Sequence, residues 1–168
     1  AVAADTSSVN ALVKGIKEIV GVVLKGKGDA TATKTADAEK KSVGKLLGGK
    51  DNGGTETQAA AASASIGAIT GADILQAIAS SEKAAGEPTI EQAKNAAEIA
   101  IAKKEDNKEL NTAKKDAVIA AGIALRAMAK DGKFAAKSNE EKSAHAVNGV
   151  AASAVGKTLS TLIIAIRN

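Results

Sequence analysis

The chain contains no Cys, no Trp and no Tyr, and a single Phe, Met, Pro and His. The missing Cys excludes disulfides, thiol nucleophiles and thiolate metal sites. One His without Cys falls short of the three or four ligands a zinc site needs. A catalytic His also needs a nucleophile and an orienting group in reach. His145 has only Glu141, one helical turn earlier, so a surface pair is its simplest use. "KDNGG" lacks the alternating acidic ligands of a calcium loop. Almost no aromatic residue is present for base stacking, and Lys and acidic residues alternate along the chain. Both features argue against a nucleic-acid partner despite a net charge of +4. No metal, cofactor or enzymatic chemistry is expected.

What is present is Ala, Lys, Glu and Leu. About a quarter of the 168 residues are Ala. These are helix formers, and alternating strand-like runs are scarce. The length suits one domain. The expected fold is all-α, an elongated bundle of about six Ala-rich helices with polar loops, in a single helical domain over residues 1–168. There is no initiator Met and no signal peptide at the start. "AVAADTSSVN" and the abrupt "TLIIAIRN" read as the interior of a longer protein.

Polar and Gly-rich breaks place the helices. The first spans about Val9 to Leu24, with Leu12, Ile16, Ile19 and Val23 on one stripe and Ser7 or Ser8 as cap. A second spans about Thr35 to Leu47 and ends at Gly48 and Gly49. "GGKDNGGTET" is the clearest flexible loop. A third spans about Glu56 to Ala79, with Thr55/Gln58 as a capping box and a kink or restart at Thr70, Gly71 and Asp73. A fourth begins after Thr89/Gln92, a second capping box, and ends near Ala102. A fifth spans about Thr112 to Lys130 with Gly132 at its C-cap. Ser138/Glu141 forms a third box before the last helix, which runs to about Arg167. Gly15, Gly44, Gly67, Gly122 and Gly149 fall inside helices. Their small size lets helices approach closely, which offsets a cost of about 1 kcal/mol each against Ala.

Three features compete for attention. "AASAVGKT" (Ala151–Thr158) fits a relaxed phosphate-loop pattern, but it lacks the first Gly and a preceding strand, and it lies inside a helix. The last helix, about Ala144 to Ile166, has the length of a membrane span, but a central Lys157 would cost ~2.5–3.5 kcal/mol on the insertion scale. It reads better as a buried helix of a soluble bundle. Third, on a helical wheel Val118, Gly122, Leu125 and Ala129 share one face of the fifth helix. Ile119 and Ile123 lie beside them, and Ala117, Ala120, Ala124 and Ala127 lie opposite. A helix apolar all round is buried. Arg126 falls inside its most apolar arc and must therefore be paired. The expected partner is a carboxylate, with Asp73, Glu98 and Glu18 as candidates, or a set of helix-end carbonyls.

The string "AKKDAVIAAGIALRAMAKDGKFAAK" (Ala113–Lys137) closely resembles the invariant segment of the variable large proteins of relapsing-fever borreliae. It is similar, less closely, to their Lyme-disease relative. "VKGIKEIVGVVLK", "ATKTADAEKKSVGKLLGG", "AAAASASIGAITGADILQAIA" and "NEEKSAHAVNGVAASAVGKTLSTLIIAIRN" resemble the same family, so the likeness covers nearly the whole chain. It implies an α-helical surface lipoprotein of the bacterial outer membrane, held by a lipidated N-terminal Cys. It also implies antigenic variation that evades host antibodies, and no enzymatic activity. The family's lipidated Cys, signal peptide and C-terminal tail do not occur in these residues, so a membrane contact would come only through an anchor absent here.

On this reading buried helices keep the fold while polar connections vary. The exposed antigenic positions are Lys27 and Asp29 in "KGKGDAT", Lys50, Asp51 and Asn52 in "GGKDNGGTET", Glu82 and Lys83 in "SEKAAGE", and Lys104, Glu105, Asp106 and Lys108 in "KKEDNKE". The alternative is an adhesin or host-factor-binding module. Lys40/Lys41, Lys103/Lys104 and Lys114/Lys115 would then meet host glycosaminoglycan or serum proteins. A homo-oligomer is a further expectation, because apolar helix faces left uncovered would seek a neighbour.

Overall fold

A computed structural model describes all of residues 1–168. Seven α-helices carry the chain: α1 (Thr6–Val23), α2 (Asp37–Lys40), α3 (Glu56–Ala68), α4 (Gly71–Ala79), α5 (Ala96–Ile101), α6 (Asp116–Met128) and α7 (Glu141–Arg167). A 3₁₀ segment, Lys41–Leu47, continues α2. The only β pairing is one antiparallel bridge between Val2 and Lys133.

Helix α6 is the axis of the fold. It packs against α5, α7, α4, α3 and α1, and every residue from Ile119 to Arg126 is buried. Ala and Gly make this crowding possible. A Cβ on Gly122 would lie 2.6 Å from the Ile99 side chain of α5, so the two helices approach at a spacing only glycine permits. The core is aliphatic throughout, built from Ile, Leu, Val and Ala of every α-helix but α2, together with the 3₁₀ segment.

Several helix ends differ from the sequence expectation, and each difference has a local cause. Helix α1 starts earlier because Asp5, not Ser7 or Ser8, is its cap and accepts the Ser8 N–H at 2.9 Å. The Ser8 hydroxyl instead accepts the Lys130 N–H. The expected helix Thr35–Leu47 tightens into 3₁₀ geometry from Lys41. There Gly44 presses on the Glu109–Leu110 backbone and the Leu110 N–H donates to the Lys41 carbonyl. The kink expected at Gly71 is a full break: α3 and α4 meet at 97°. Thr70 and Asp73 form the capping box that restarts the chain.

Thr89 and Gln92 close only a single turn. The fourth helix begins at Ala96, where extended Asn95 accepts the Glu98 N–H and Glu98 in return accepts the Lys94 N–H. Helix α6 ends at Met128, and the turn after it uses Asp131 in the left-handed region rather than Gly132. Gly132 is needed for a different reason, because a Cβ there would run into the Arg126 carbonyl. Ser138 and Glu141 do not form a capping box. The chain reverses at Asn139 (φ 61°), the Ser138 hydroxyl has no partner, and α7 starts beside Glu140, whose carboxylate accepts the Ser143 hydroxyl.

The largest departure is α7 itself. Its buried residues form one narrow stripe, Ser143, Val147, Val150, Ala154 and Thr158. It is the one helix long and apolar enough to cross a membrane, yet only 17% of its apolar window is buried. It is not the buried bundle helix that its composition suggested. Lys157 donates to the Ile66 carbonyl at the end of α3, so the residue that interrupts the apolar run is tied to the body. The phosphate-loop-like string therefore lies on a continuous helix.

Candidate functional site

Arg126 is fully buried, at 0% exposure, and none of its proposed carboxylates reaches it. Asp73 caps α4 and Glu98 caps α5, while Glu18 is exposed on α1. Carbonyls take their place. The guanidinium donates through Nη1 to Ile99 (3.3 Å), Ala100 (3.1 Å) and Ala102 (3.3 Å), and through Nε to Lys133 (3.0 Å). The first three are at the C-terminal end of α5, where orphan carbonyls gather partial negative charge. Phe134 covers the group, its ring centre 5.8 Å from Cζ. Burial lowers the Arg126 pKa to about 10, which leaves it charged at neutral pH. The Lys133 carbonyl also accepts the Val2 N–H and the Ala100 carbonyl the Ala4 N–H. One cation thus joins α5, α6, the Lys133 segment and the N-terminal stretch. It is structural and faces no opening.

The exposed loops are built differently. Gly48, Gly49, Gly53 and Gly54 are all buried, and a side chain on any of them would strike the chain: Glu105, Asp106, Lys45 and Ala135 respectively. The loop is not flexible, as its Gly-rich sequence suggests, but stitched to the segment before α7. Ala135 N–H donates to Leu46, Lys137 N–H to Gly54 and Ser138 N–H to Lys50, and the Lys137 ammonium reaches the Asp51 carbonyl. Only the tip, Lys50, Asp51 and Asn52, projects.

The other loops follow the same rule. Asp73 accepts the Asp29 N–H at 2.8 Å and Gln76 donates to the Lys27 carbonyl at 2.8 Å. Gly28 (φ 92°) lies against the Ala72 backbone. The Lys27 and Asp29 side chains stay exposed, and the Asp29 carboxylate turns back onto Thr31. Asn10 of α1 binds Ala84 through both its N–H and its carbonyl, at 2.7 and 2.9 Å, which leaves Glu82 and Lys83 outside. In the fourth loop Lys104 and Asp106 are exposed. Glu105 and Lys108 are half-buried and paired with Lys103 and Glu91. Throughout, the fold grips loop backbone and leaves most charged side chains free.

These loops are not one patch. Ser138, just before α7, meets Lys50, and Lys27 shares a groove with Thr161 and Ile164 at its far end. A 27-residue helix, about 40 Å long at 1.5 Å per residue, separates the two.

Of the Lys clusters, Lys40/Lys41 is half lost. Lys40 is buried, bonded to Thr33 and Thr35 and paired with Asp37 at 3.3 Å, so it cannot meet an external anion. Lys103, Lys104, Lys114 and Lys115 are exposed. Sequence reasoning missed a third arrangement. Lys14, Lys17 and Lys83 line one groove of about 350 Å³ with Asn10 and Ser81, and none of the three is in an ion pair. Only the three-residue spacing of Lys14 and Lys17 on α1 hinted at it. His145 is exposed, 3.8 Å from Glu141.

Residues 1–168 match the family model described as Borrelia lipoprotein along their whole length. The chain belongs to that family. It is 65% identical to Variable large protein 4 of Borrelia hermsii over 98% of this chain and 49% of the relative. It is 59% identical to Variable large protein 17 of the same species over 98% of this chain and 48% of that one. Among solved structures it is similar to VlsE, the Lyme disease variable surface antigen of Borrelia burgdorferi. The TM-score is 0.84 at 40% identity, covering 99% of this chain and 58% of that one. The chain thus spans about half the length of the curated relatives it matches.

Proposed function

We propose that these residues form the helical body of an antigenically variable lipoprotein on the bacterial outer membrane. Host antibodies are its partners and immune evasion its role. The likeness to variable large proteins and a variable surface antigen supports this reading. The observation that carries it is the way the loops are held. Asp73, Gln76, Asn10 and Lys137 bind main-chain atoms of the neighbouring loops. A backbone bond is indifferent to the side chain it carries, so Lys27, Lys50, Asp51, Asn52, Glu82 and Lys83 are free to change while the chain path stays. Antibody sees the side chains and the fold rests on the backbone.

The test is to replace those six residues together and compare melting with binding of an antibody raised against the parent surface. Melting should move by no more than a few degrees while antibody binding is lost. A collapse of the fold, or full retention of binding, would refute the reading.

A second reading, an adhesin for sulfated polysaccharide, is favoured by the groove of Lys14, Lys17 and Lys83. Three unpaired ammonium groups around one opening suit a polyanion, whose binding weakens with salt. Changing the three to Glu should abolish salt-sensitive retention on heparin. Retention unaffected by the change would dismiss the groove.

A further inference from the structure

The grip on loop main chain has one gap. From Lys104 to Glu109 no backbone N–H or carbonyl takes part in a hydrogen bond, the longest such run in the chain. The run is held only at its ends. Lys103 N–H donates to the Pro88 carbonyl at 3.0 Å, and Leu110 N–H to the Lys41 carbonyl at 2.9 Å. Between them Glu105 and Lys108 are tied through side chains alone, to Lys103 and Glu91, each at 3.3 Å. Surface pairs of this kind are weak. Lys104 is exposed and outside any ion pair. The lysines of the other exposed loops are placed differently. The main chain of Lys27 donates to Leu24 and accepts from Gln76, that of Lys50 accepts from Ser138, and Lys83 precedes Ala84, which Asn10 holds on both sides. A protease draws a stretch of its substrate into extended form, so every main-chain bond near the scissile carbonyl must first break. At Lys104 there is none to break.

We propose that the Lys104–Glu105 bond is a cleavage site for a trypsin-like serine protease, whose anionic specificity pocket takes the Lys104 ammonium, and that the cut leaves the helical body assembled. The reaction is hydrolysis. The C–N bond breaks, the water oxygen joins the Lys104 carbonyl carbon as a carboxylate, and both water protons end on the Glu105 nitrogen as an ammonium group. The body survives because both cut ends run into anchored residues. Upstream, Ala102 is fully buried and its carbonyl accepts from Arg126; downstream, Leu110 is buried as well. Helix α5 lies on one piece and α6 on the other, and the two pack directly through Ile99 and Gly122. An exposed loop is thus opened while the buried frame stays. The encounter with such an enzyme rests on the surface placement proposed above; the susceptibility of the bond does not.

The test is limited digestion with trypsin of the folded polypeptide at the length of its relatives, with cut sites read from fragment masses. Within residues 1–168, cleavage after Lys104 should be about tenfold faster than after Lys27, Lys50 or Lys83. The two pieces should co-elute at the mass of the uncut protein and keep its helicity. Lys104→Gln should slow the early cut about tenfold without moving the melting temperature. Asn10→Ala, which frees Ala84, should raise cleavage after Lys83 severalfold more than after Lys27. Equal rates at the four lysines overturn the proposal, because cleavage would then pass through global unfolding. A first cut after Lys27, Lys50 or Lys83 overturns it, and so do pieces that separate or lose helicity. An early cut that persists after Lys103 in Lys104→Gln overturns the assignment to Lys104. Cleavage after Lys83 that Asn10→Ala leaves unchanged overturns the role given to main-chain bonds.

Discussion

Asp116, in the first turn of α6, accepts the backbone N–H of Lys34 at 2.6 Å, although 82 positions separate them. Its carboxylate also takes the N–H of Thr35 at 2.9 Å and the hydroxyls of Thr33 and Thr35. One buried side chain thus fastens the whole 33–35 turn to the central helix. Burial alone would raise its pKa. The hydrogen bonds from Lys34 and Thr35 outweigh burial and hold it at about 2.

A carboxylate depressed in the folded state stabilises above its unfolded pKa and loses that effect as pH falls through the folded value. The window here runs from 3.8 down to about 2. At 1.36 kcal/mol per unit, the contribution is roughly 2 kcal/mol. Urea unfolding of the parent should weaken across that window. Asp116→Asn should be less stable at neutral pH by a similar amount and should lose that part of the acid dependence. An unchanged acid profile in the variant would show that Asp116 does not fasten the turn.

Arg126 makes a second prediction. Its four carbonyl partners lie on two segments, Ile99–Ala102 and Lys133, which a planar fork can bridge and a single ammonium cannot. Arg126→Met fits the apolar arc but leaves the buried Ala102 carbonyl without a partner, at about 1–3 kcal/mol, and strips the charge-assisted bond from the carbonyls of Ile99, Ala100 and Lys133, which keep only their backbone partners. The loss should be of order 3 kcal/mol in urea unfolding, and Arg126→Lys should recover less than half of it. Full recovery by Lys would mean that charge alone, not the fork, holds the site.

How far the sequence reveals this molecule depends on the range of the signal. The burial of α6 is written in consecutive residues, so a wheel finds it. Thr70 and Asp73 are three apart, so their capping box is also readable. The partner of Arg126 is readable only in kind: helix-end carbonyls are one of the two expected partners and are the ones found, but carbonyls carry no residue identity, so which helix end supplies them is not legible. The Ser138/Glu141 pattern fails for a related reason: the Ser138 N–H is already taken by Lys50, 88 positions away. The order of the Gly-rich loop is likewise invisible locally. Gly48, Gly53 and Gly54 are there because the main chain of Glu105, Lys45 and Ala135 lies where a side chain would go, and Glu105 and Ala135 are remote in sequence. The exposed end of α7 cannot be read from composition, which is the same for a buried helix and for an exposed one.

The loop frame and the loop tip should separate cleanly. Gly54 has φ 78° and lies against the Ala135 carbonyl. Gly54→Ala meets both an unfavourable backbone region and a backbone clash, so a loss of about 1–3 kcal/mol is expected. Asn52→Ala, two residues away at the exposed tip, should stay within about 0.5 kcal/mol. Thermal unfolding of the two variants compares them directly. Equal effects would mean that the loop is not gripped by its glycines.

The helical glycines divide in the same manner, and here the sign itself is predicted. Gly15, Gly67 and Gly149 have open space where a Cβ would go, as do Gly21 and Gly156. They are not close-approach sites, contrary to what their positions suggested. Each to Ala should stabilise by about 0.5–1 kcal/mol through reduced chain entropy and better helix propensity. Gly122→Ala gains the same propensity but drives a methyl into Ile99, 2.6 Å away. Overpacking of this kind costs about 1–3 kcal/mol and should prevail. Ile99→Ala in the same chain removes the obstacle, so the pair should be less destabilised than the sum of the single changes. A stabilising Gly122→Ala, or strict additivity with Ile99→Ala, would show that α5 and α6 can move apart at little cost.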